Sequence, residues 1–269
     1  MDSALSISTR FCQNSVVKVS ACIITLNEEE NIGDAIKSVS WADEVIVVDS
    51  GSTDKTIEIS EYLGAKTYSK DWMGFGKQKQ FAVEKCENDW VFSLDADERA
   101  SGELQSAILE LKADGFPADG YRISRLTYYM DRPIRHAGWY PDWQLRLFNR
   151  KQGKWSDSLI HESFQLSDGA KVEKLKADIL HYTVKNAAHH HRMIGERYAP
   201  FAAEQMFLSG RRTSPFRAAA AGCSSFFQTY VLKAGFLEGF PGFCISSFAA
   251  HHAFLKHVML WEMQNSKNK

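Results

Sequence analysis

Trp90-Val91-Phe92-Ser93-Leu94-Asp95-Ala96-Asp97-Glu98 is an apolar run of strand length that ends in two carboxylates two positions apart. Strand side chains alternate between faces, so residues i and i+2 point the same way. If the strand geometry persists to its end, Asp95 and Asp97 converge on one spot. Two hard oxygen ligands there could hold Mg²⁺ or Mn²⁺ against a diphosphate. The pattern is short, so its weight depends on what surrounds it.

Working back from that stretch, apolar strand-like runs alternate with helix-like ones. Val16 to Thr25 is β-branched and apolar, and Asn27 is expected to cap a helix whose first turn holds Glu28, Glu29 and Glu30. Glu44 to Asp49 is a second strand closed by a carboxylate. Ser50-Gly51-Ser52-Thr53-Asp54 is a polar turn into a second helix that Gly64 stops. Ala65 to Ser69 reads as a third strand, and a helix over Lys77 to Cys86 leads into the Asp95 strand. Ser101 then caps a helix with Leu104, Ile108 and Leu111 on one side. Such alternation predicts an α/β fold, a mostly parallel sheet with helices on both faces. Ligands of these sheets lie at the carboxyl ends of the strands, where this chain places Asn27, Glu28, Asp49, Asp95 and Asp97. Neither GxGxxG nor GxxxxGK[ST] occurs, which speaks against a dinucleotide cofactor and a P-loop.

Composition narrows the function classes. With 44% hydrophobic and 24% charged residues the chain can bury a core, and a net charge of −1 offers no basic field for nucleic acid. Five scattered cysteines without CxxC fit a reducing compartment and argue against a disulfide framework or a zinc site. No export signal is expected, since no basic stretch leads into an apolar one near the start. The longest apolar region, residues 235–260, is interrupted by Glu238, Pro241, His251, His252 and Lys256, so no membrane-spanning helix is expected.

Three blocks, Ile23-Ile24-Thr25-Leu26-Asn27-Glu28-Glu29, Val47-Val48-Asp49-Ser50-Gly51-Ser52-Thr53-Asp54 and Leu94-Asp95-Ala96-Asp97, together resemble the inverting family-two glycosyltransferases, which have the GT-A fold. The match is strong over residues 16–115. Trp143-Gln144-Leu145-Arg146-Leu147-Phe148 and His161-Glu162 make the whole chain similar to a narrower branch, the bacterial lipopolysaccharide inner-core glucosyltransferases. The resemblance implies a UDP-sugar donor and a divalent cation, Mg²⁺ or Mn²⁺. It implies that Thr25, Leu26, Asn27, Glu28, Asp49 and Ser50 hold the nucleoside, and that Asp95 with Ala96 lies near the ribose. Asp97 would bind the metal, Asp95 would share it, and Lys77 and Gln80 would face the nucleotide sugar. A late histidine can complete the metal shell in such enzymes, which makes His181 a candidate alongside the plain reading of a satisfied core histidine. The family often has Pro at position 24 and an aromatic at 26. Here Ile24 and Leu26 stand there, so a base-stacking surface is missing.

Transfer with inversion needs a carboxylate that takes the acceptor's proton. Asp142, in Gly138-Trp139-Tyr140-Pro141-Asp142-Trp143-Gln144, is the first candidate, because its aromatic neighbours offer sugar-stacking faces and a drier pocket. Glu162 is the rival. Six arginines between residues 121 and 155 would suit an acidic acceptor such as a phosphorylated core glycolipid. The reading divides the chain into a catalytic domain, 16–185, with a nucleotide-sugar half (16–115) and an acceptor half (116–185), and a helical extension, 186–269. Pro200 is expected to kink a helix over Asn186 to Leu208. From residue 200 onward seven cations face three acids among many Phe and Leu, which fits a surface resting on anionic lipid. The expected protein is a peripheral enzyme on the cytoplasmic face of the bacterial inner membrane that moves a hexose, with glucose the first choice, onto a glycolipid or oligosaccharide. The alternatives are polysaccharide-repeat assembly with another nucleotide sugar, or a metal-dependent nucleotidyltransferase.

Overall fold

The computed structural model describes residues 17–156 and 162–266. Val16 and His161, named above, lie outside these residues, as do residues 1–15 and two of the seven cations counted from residue 200 onward, Lys267 and Lys269. The first half alternates as its sequence predicts: β1 (Val19–Thr25), α1 (Ile32–Ser38), β2 (Glu44–Asp49), α2 (Thr56–Tyr62), β3 (Lys66–Ser69), α3 (Phe75–Lys85) and β4 (Trp90–Asp95). Then follow β5 (Glu98–Ala100), α4 (Gly102–Ala113), β6 (Gly120–Tyr129), the short β7 (Arg132–Pro133), β8 (Asp142–Asn149) and a small hairpin of β9 (Gly153–Trp155) and β10 (Phe164–Leu166). The long β11 (Val172–His181) closes the sheet, and α5 (Ala187–Arg192), α6 (Ala199–Leu208), α7 (Pro215–Phe227) and α8 (Phe240–Asn265) form the C-terminal part.

Among the described residues the main sheet has nine strands, in the order β3-β2-β1-β4-β8-β6-β11-β5, with β7 beside β6. The first four strands run parallel. β8 enters antiparallel between β4 and β6, and so welds the second half of the chain directly to the strand that carries Asp95. This is the α/β layout the GT-A resemblance implies.

β1 is buried along its whole length, because both faces of the sheet are covered. Val19, Ala21 and Ile23 face one core with Phe92 and Leu94, roofed by Ile32 and Ile36 of α1 and Leu104 and Ile108 of α4. Cys22 and Ile24 face the other, beneath Ala82 and Val83 of α3 and against Trp155 and Phe164 of the hairpin. Gly76 makes that second layer possible. A Cβ built there would sit 2.2 Å from the Ser156 carbonyl oxygen, so α3 can approach the hairpin only through a glycine.

Two local expectations are corrected. Asn27 does not cap a helix. It adopts a left-handed conformation (φ 53°), and α1 begins only at Ile32, behind a turn closed by the Glu28 carbonyl. Strand geometry stops at Asp95, so alternation does not align Asp97 with it. The helix expected over Asn186 to Leu208 is present as one continuous run, residues 187–208, and Pro200 lies inside it directly after a π-helical stretch over Met193–Tyr198, the kind of local irregularity that accommodates a missing proline N–H. Ser101 does cap α4, its Oγ accepting from the Leu104 amide at 3.1 Å.

The C-terminal helices are fastened to the sheet. Tyr129, Ile134 and Ala137 pack against Ile245 of α8. The buried Glu238 carboxylate accepts from the amides of Arg135 (2.8 Å) and His136 (2.9 Å) and meets His136 Nδ1 at 2.7 Å. Burial would raise the Glu238 carboxyl, but these donors outweigh it and hold it below the ordinary range. Among the described residues no helix is long and apolar enough to cross a membrane.

Candidate active site

The loops after β1 and β2 are stitched together at the carboxyl edge. Asn27 N–H donates to Ser52 Oγ (2.8 Å), the Thr53 amide donates to Asn27 Oδ1 (2.9 Å), and the Glu28 amide donates to Thr56 Oγ1 (2.8 Å). Asp49 turns into its own loop. Its Oδ2 accepts from the amides of Gly51 (2.7 Å) and Ser52 (2.8 Å), and its Oδ1 from the Ser52 hydroxyl. Ser50 Oγ accepts from Gln78 Nε2 at 3.0 Å. These residues shape the rim, whereas Thr25, Leu26 and Glu28 line the large cavity in front of it, about 2320 Å³ in volume. Burial leads the causes that raise the Glu28 carboxyl, the Asn31 side chain opposes it, and nearby Asp97 adds to the rise.

Asp95 and Asp97 serve different neighbours. Asp95 lies 3.0 Å from Lys79 Nζ through Oδ1, and Arg146 Nη2 reaches its Oδ2 at 3.2 Å. Burial would raise the Asp95 carboxyl, but Lys79 and Arg146 overcome it and hold it well below the carboxylate range. The Asp95 amide donates to Glu98 Oε2 (2.9 Å), and Glu98 Oε1 takes Arg146 at 2.7 Å and Arg125 at 3.4 Å. Glu98 and Arg146 are both buried, and each is tolerated because it is paired, with the other and with Arg125 or Asp95 respectively.

Asp97 faces His181 instead, Oδ2 to Nε2 at 3.4 Å. Sheet register brings the two together: His181 pairs with Glu98 of β5 on one side and Thr127 of β6 on the other. Thr127 Oγ1 stands 3.3 Å from His181 Nδ1, which leaves Nε2 turned toward the carboxylate. One carboxylate oxygen and one imidazole nitrogen are a fitting protein share for Mg²⁺ or Mn²⁺, which commonly takes its remaining ligands from water and substrate phosphate. No group of three or more His, Cys, Asp or Glu side chains suited to a metal occurs among the described residues. A cation here would therefore take its remaining ligands from outside the protein, from water or a bound phosphate.

The two candidate bases are placed differently. Asp142 pairs with Arg125 across the β6–β8 ladder. Its Oδ2 accepts from Arg125 Nε (2.7 Å) and Nη2, and its Oδ1 from Gln144 Nε2 (2.7 Å). Burial would raise Asp142, yet Arg125 dominates the opposing causes and the carboxyl lies below its ordinary range. Asp142 is not on the cavity wall. Glu162 is, 3.5 Å from the ammonium of the buried Lys79, whose Nζ also sits 5.1 Å from the centre of the Trp155 ring. Gln80 lies behind that wall rather than on it, its Oε1 accepting from the Trp155 amide at 3.0 Å.

The cavity thus gathers Thr25, Leu26, Glu28, Lys77, Asp95, Ala96, Asp97, Glu162 and His181, while Asn27, Asp49, Ser50, Gln80 and Asp142 stand off its wall. Sequence reasoning passes over Glu98 and Trp155. Glu98 carried little signal, since its burial at the start of β5 and its arginine partners come from strand pairing. Trp155 carried none, because its place depends on a hairpin packing against α3. The far wall comes from the C-terminal helices, including Arg197, Phe201, Leu208, Met259 and Met263.

The family model described as Glycosyl transferase family 2 matches residues 20–166. An uncharacterized glycosyltransferase of Rickettsia bellii is 36% identical over 265 residues, covering 91% of this chain and 87% of that one. The lipopolysaccharide core biosynthesis glycosyltransferase LpsC of Rhizobium meliloti is 29% identical, covering 91% and 92%. Among solved structures, S. aureus TarS 1–349 superposes with a TM-score of 0.46 at 16% identity, over 94% of this chain and 92% of that one. The glucosyl-3-phosphoglycerate synthase of Mycobacterium tuberculosis, in complex with Mn²⁺, UDP and glucosyl-3-phosphoglycerate, covers 42% of this chain and 44% of its own, at 24% identity and a TM-score of 0.34.

Proposed function

The chain belongs to glycosyl transferase family 2, and from that premise we propose that it moves a hexose, glucose by preference, from a UDP-sugar to a lipopolysaccharide-core or related glycolipid with inversion. The observation that carries this reading is the juxtaposition at the carboxyl edge of β4. Asp97 with His181 and the Asp95–Lys79–Glu162 chain both line the cavity there. The full-length similarity to a relative named for lipopolysaccharide core biosynthesis supports the acceptor class. Residues 16–185 serve as the catalytic unit and 186–269 as a helical extension, and the enzyme works at the cytoplasmic face of the inner membrane.

Glu162 is the base in this proposal. It takes the proton of the acceptor hydroxyl as that oxygen attacks the anomeric carbon, while the bond to the UDP oxygen breaks on the opposite side. A single displacement of this kind inverts the configuration. Asp142 is the weaker candidate, because both of its oxygens already accept from Arg125 and Gln144. Asp142 instead holds Arg125, which with Arg122 lines the acceptor side of the cavity and suits an anionic sugar. Asp97 and His181 would hold the divalent cation, which when bound offsets charge building on the departing diphosphate. Lys79 adds a fixed positive charge beside it.

A donor panel with Mg²⁺ or Mn²⁺, with and without acceptor, tests the reading. UDP-glucose should be turned over, and Glu162→Gln should bind UDP-sugar normally while transfer falls by about 100-fold or more. Asp142→Asn should keep measurable transfer with a raised acceptor KM. Absence of turnover with every UDP-sugar would sink the proposal. Full activity in Glu162→Gln would return the base to Asp142.

A further inference from the structure

The inner side of α7 is fixed by packing. Ala218, Gly222 and Thr229, the last in the π-helical turn Gln228–Leu232 that prolongs α7, are buried, and Gly222 lies close against Ala250 and Phe254 of α8. At 100° per residue, the opposite side carries Phe216, Ala220, Cys223, Phe227 and Val231. That outer stripe runs on into the corner between α7 and α8. Phe216 is 82% exposed, Leu232 68%, Leu237 58% and Phe240 69%, so the stripe is an uncovered apolar surface and not part of a core. A contiguous patch of this kind marks an interaction surface.

Charge identifies the occupant. Between residues 209 and 243 the cations are Arg211, Arg212, Arg217 and Lys233, all exposed. The one acid in that span, Glu238, is buried and spent on His136. The arginines flank one end of the stripe and Lys233 the other. A two-fold pairing of two copies through this face would set arginines against arginines, or against Lys233, in either orientation. An anionic lipid surface meets the same cations with opposite charge and takes the Phe and Leu side chains among its acyl chains. We propose that the outer face of α7, with the α7–α8 corner, is the surface by which the protein embeds in an anionic bilayer. The orientation follows: Leu208, three residues before Arg211, lies on the cavity wall, so docking brings the far end of the cavity to the lipid. This rests on the reading of the acceptor as a glycolipid and names the surface that reaches it.

The test is sedimentation of the full chain with phosphatidylcholine vesicles, with and without phosphatidylglycerol, at low and high salt. Wild type should partition onto the phosphatidylglycerol vesicles. Leu232→Glu/Leu237→Glu should lower the partition coefficient about tenfold or more, and Arg211→Glu/Arg212→Glu should remove its salt dependence. Thermal unfolding should be unchanged in both variants, whose altered side chains are exposed. Failure of wild type to bind, or equal binding by the variants, overturns the proposal. So does a solution dimer, seen by light scattering, that the leucine variant converts to monomer while vesicle binding persists. Donor turnover with a soluble, deacylated acceptor separates the two readings. If it survives while vesicle binding is absent, only the surface is wrong. If it is absent while vesicle binding holds, only the catalytic reading is wrong.

Discussion

Asp97 and Asp95 show how much two positions of chain separation can matter. Because β4 ends between them, Asp95 is drawn into an ion-pair network and Asp97 is left facing His181. Replacing Asp97 by Ala should leave the fold intact and, on the proposed metal-binding role of Asp97, lower transfer by about 100-fold or more. Wild-type rate in that variant, measured with Mg²⁺ and Mn²⁺, would remove Asp97 from the site. Arg146 is the opposite case, a residue whose loss should cost stability first. In Arg146→Met, the fully buried Glu98 and the part-buried Asp95 each have one partner fewer, and about 3–5 kcal/mol should disappear from the urea unfolding free energy. The double change Arg146→Met/Glu98→Gln should recover part of it, because both charges of that pair are then gone.

At the scale of elements, the site depends on how closely α3 lies on the β9–β10 hairpin. Lys79 reaches Asp95 and Glu162 from α3, and Trp155 of β9 lies beneath it. Gly76→Ala puts a methyl carbon 2.2 Å from the Ser156 carbonyl oxygen, so the helix or the hairpin must shift. A loss of about 1–3 kcal/mol in stability is expected. Donor KM should rise with it, and stability without any change in KM would mean that the contact does not position Lys79. The alternation of β1, α1, β2, α2, β3, α3 and β4 was legible in the chain because apolar period and turn residues are local signals. The start of α1 was not. Asn27 is chemically an apt cap, but tertiary bonds to Ser52 and Thr53 recruit it to a loop–loop contact before it can act as one.

Across the whole molecule, the C-terminal helices complete the cavity and Glu238 is one of the pins that hold them in place. Its folded-state value is depressed, so the stability it contributes is complete above the ordinary carboxylate range, about pH 4–5, and is lost as pH falls through the lowered value. Glu238→Gln should therefore cost about 1–2 kcal/mol at neutral pH and flatten part of the acid limb of wild-type stability. Urea titrations at several pH values measure the difference, and parallel curves for the two proteins would exclude the linkage. By itself the sequence determined the α/β class, the carboxylates at the strand ends and the family, because hydrophobic period and short carboxylate-bearing turns are written in consecutive residues. Only the tertiary structure decided which of those carboxylates face the cavity. Arg125 meets Asp142, His181 meets Asp97 and Lys79 meets Glu162 across separations of 17 to 84 residues. Such meetings are set by strand order and register, which no local stretch of sequence encodes.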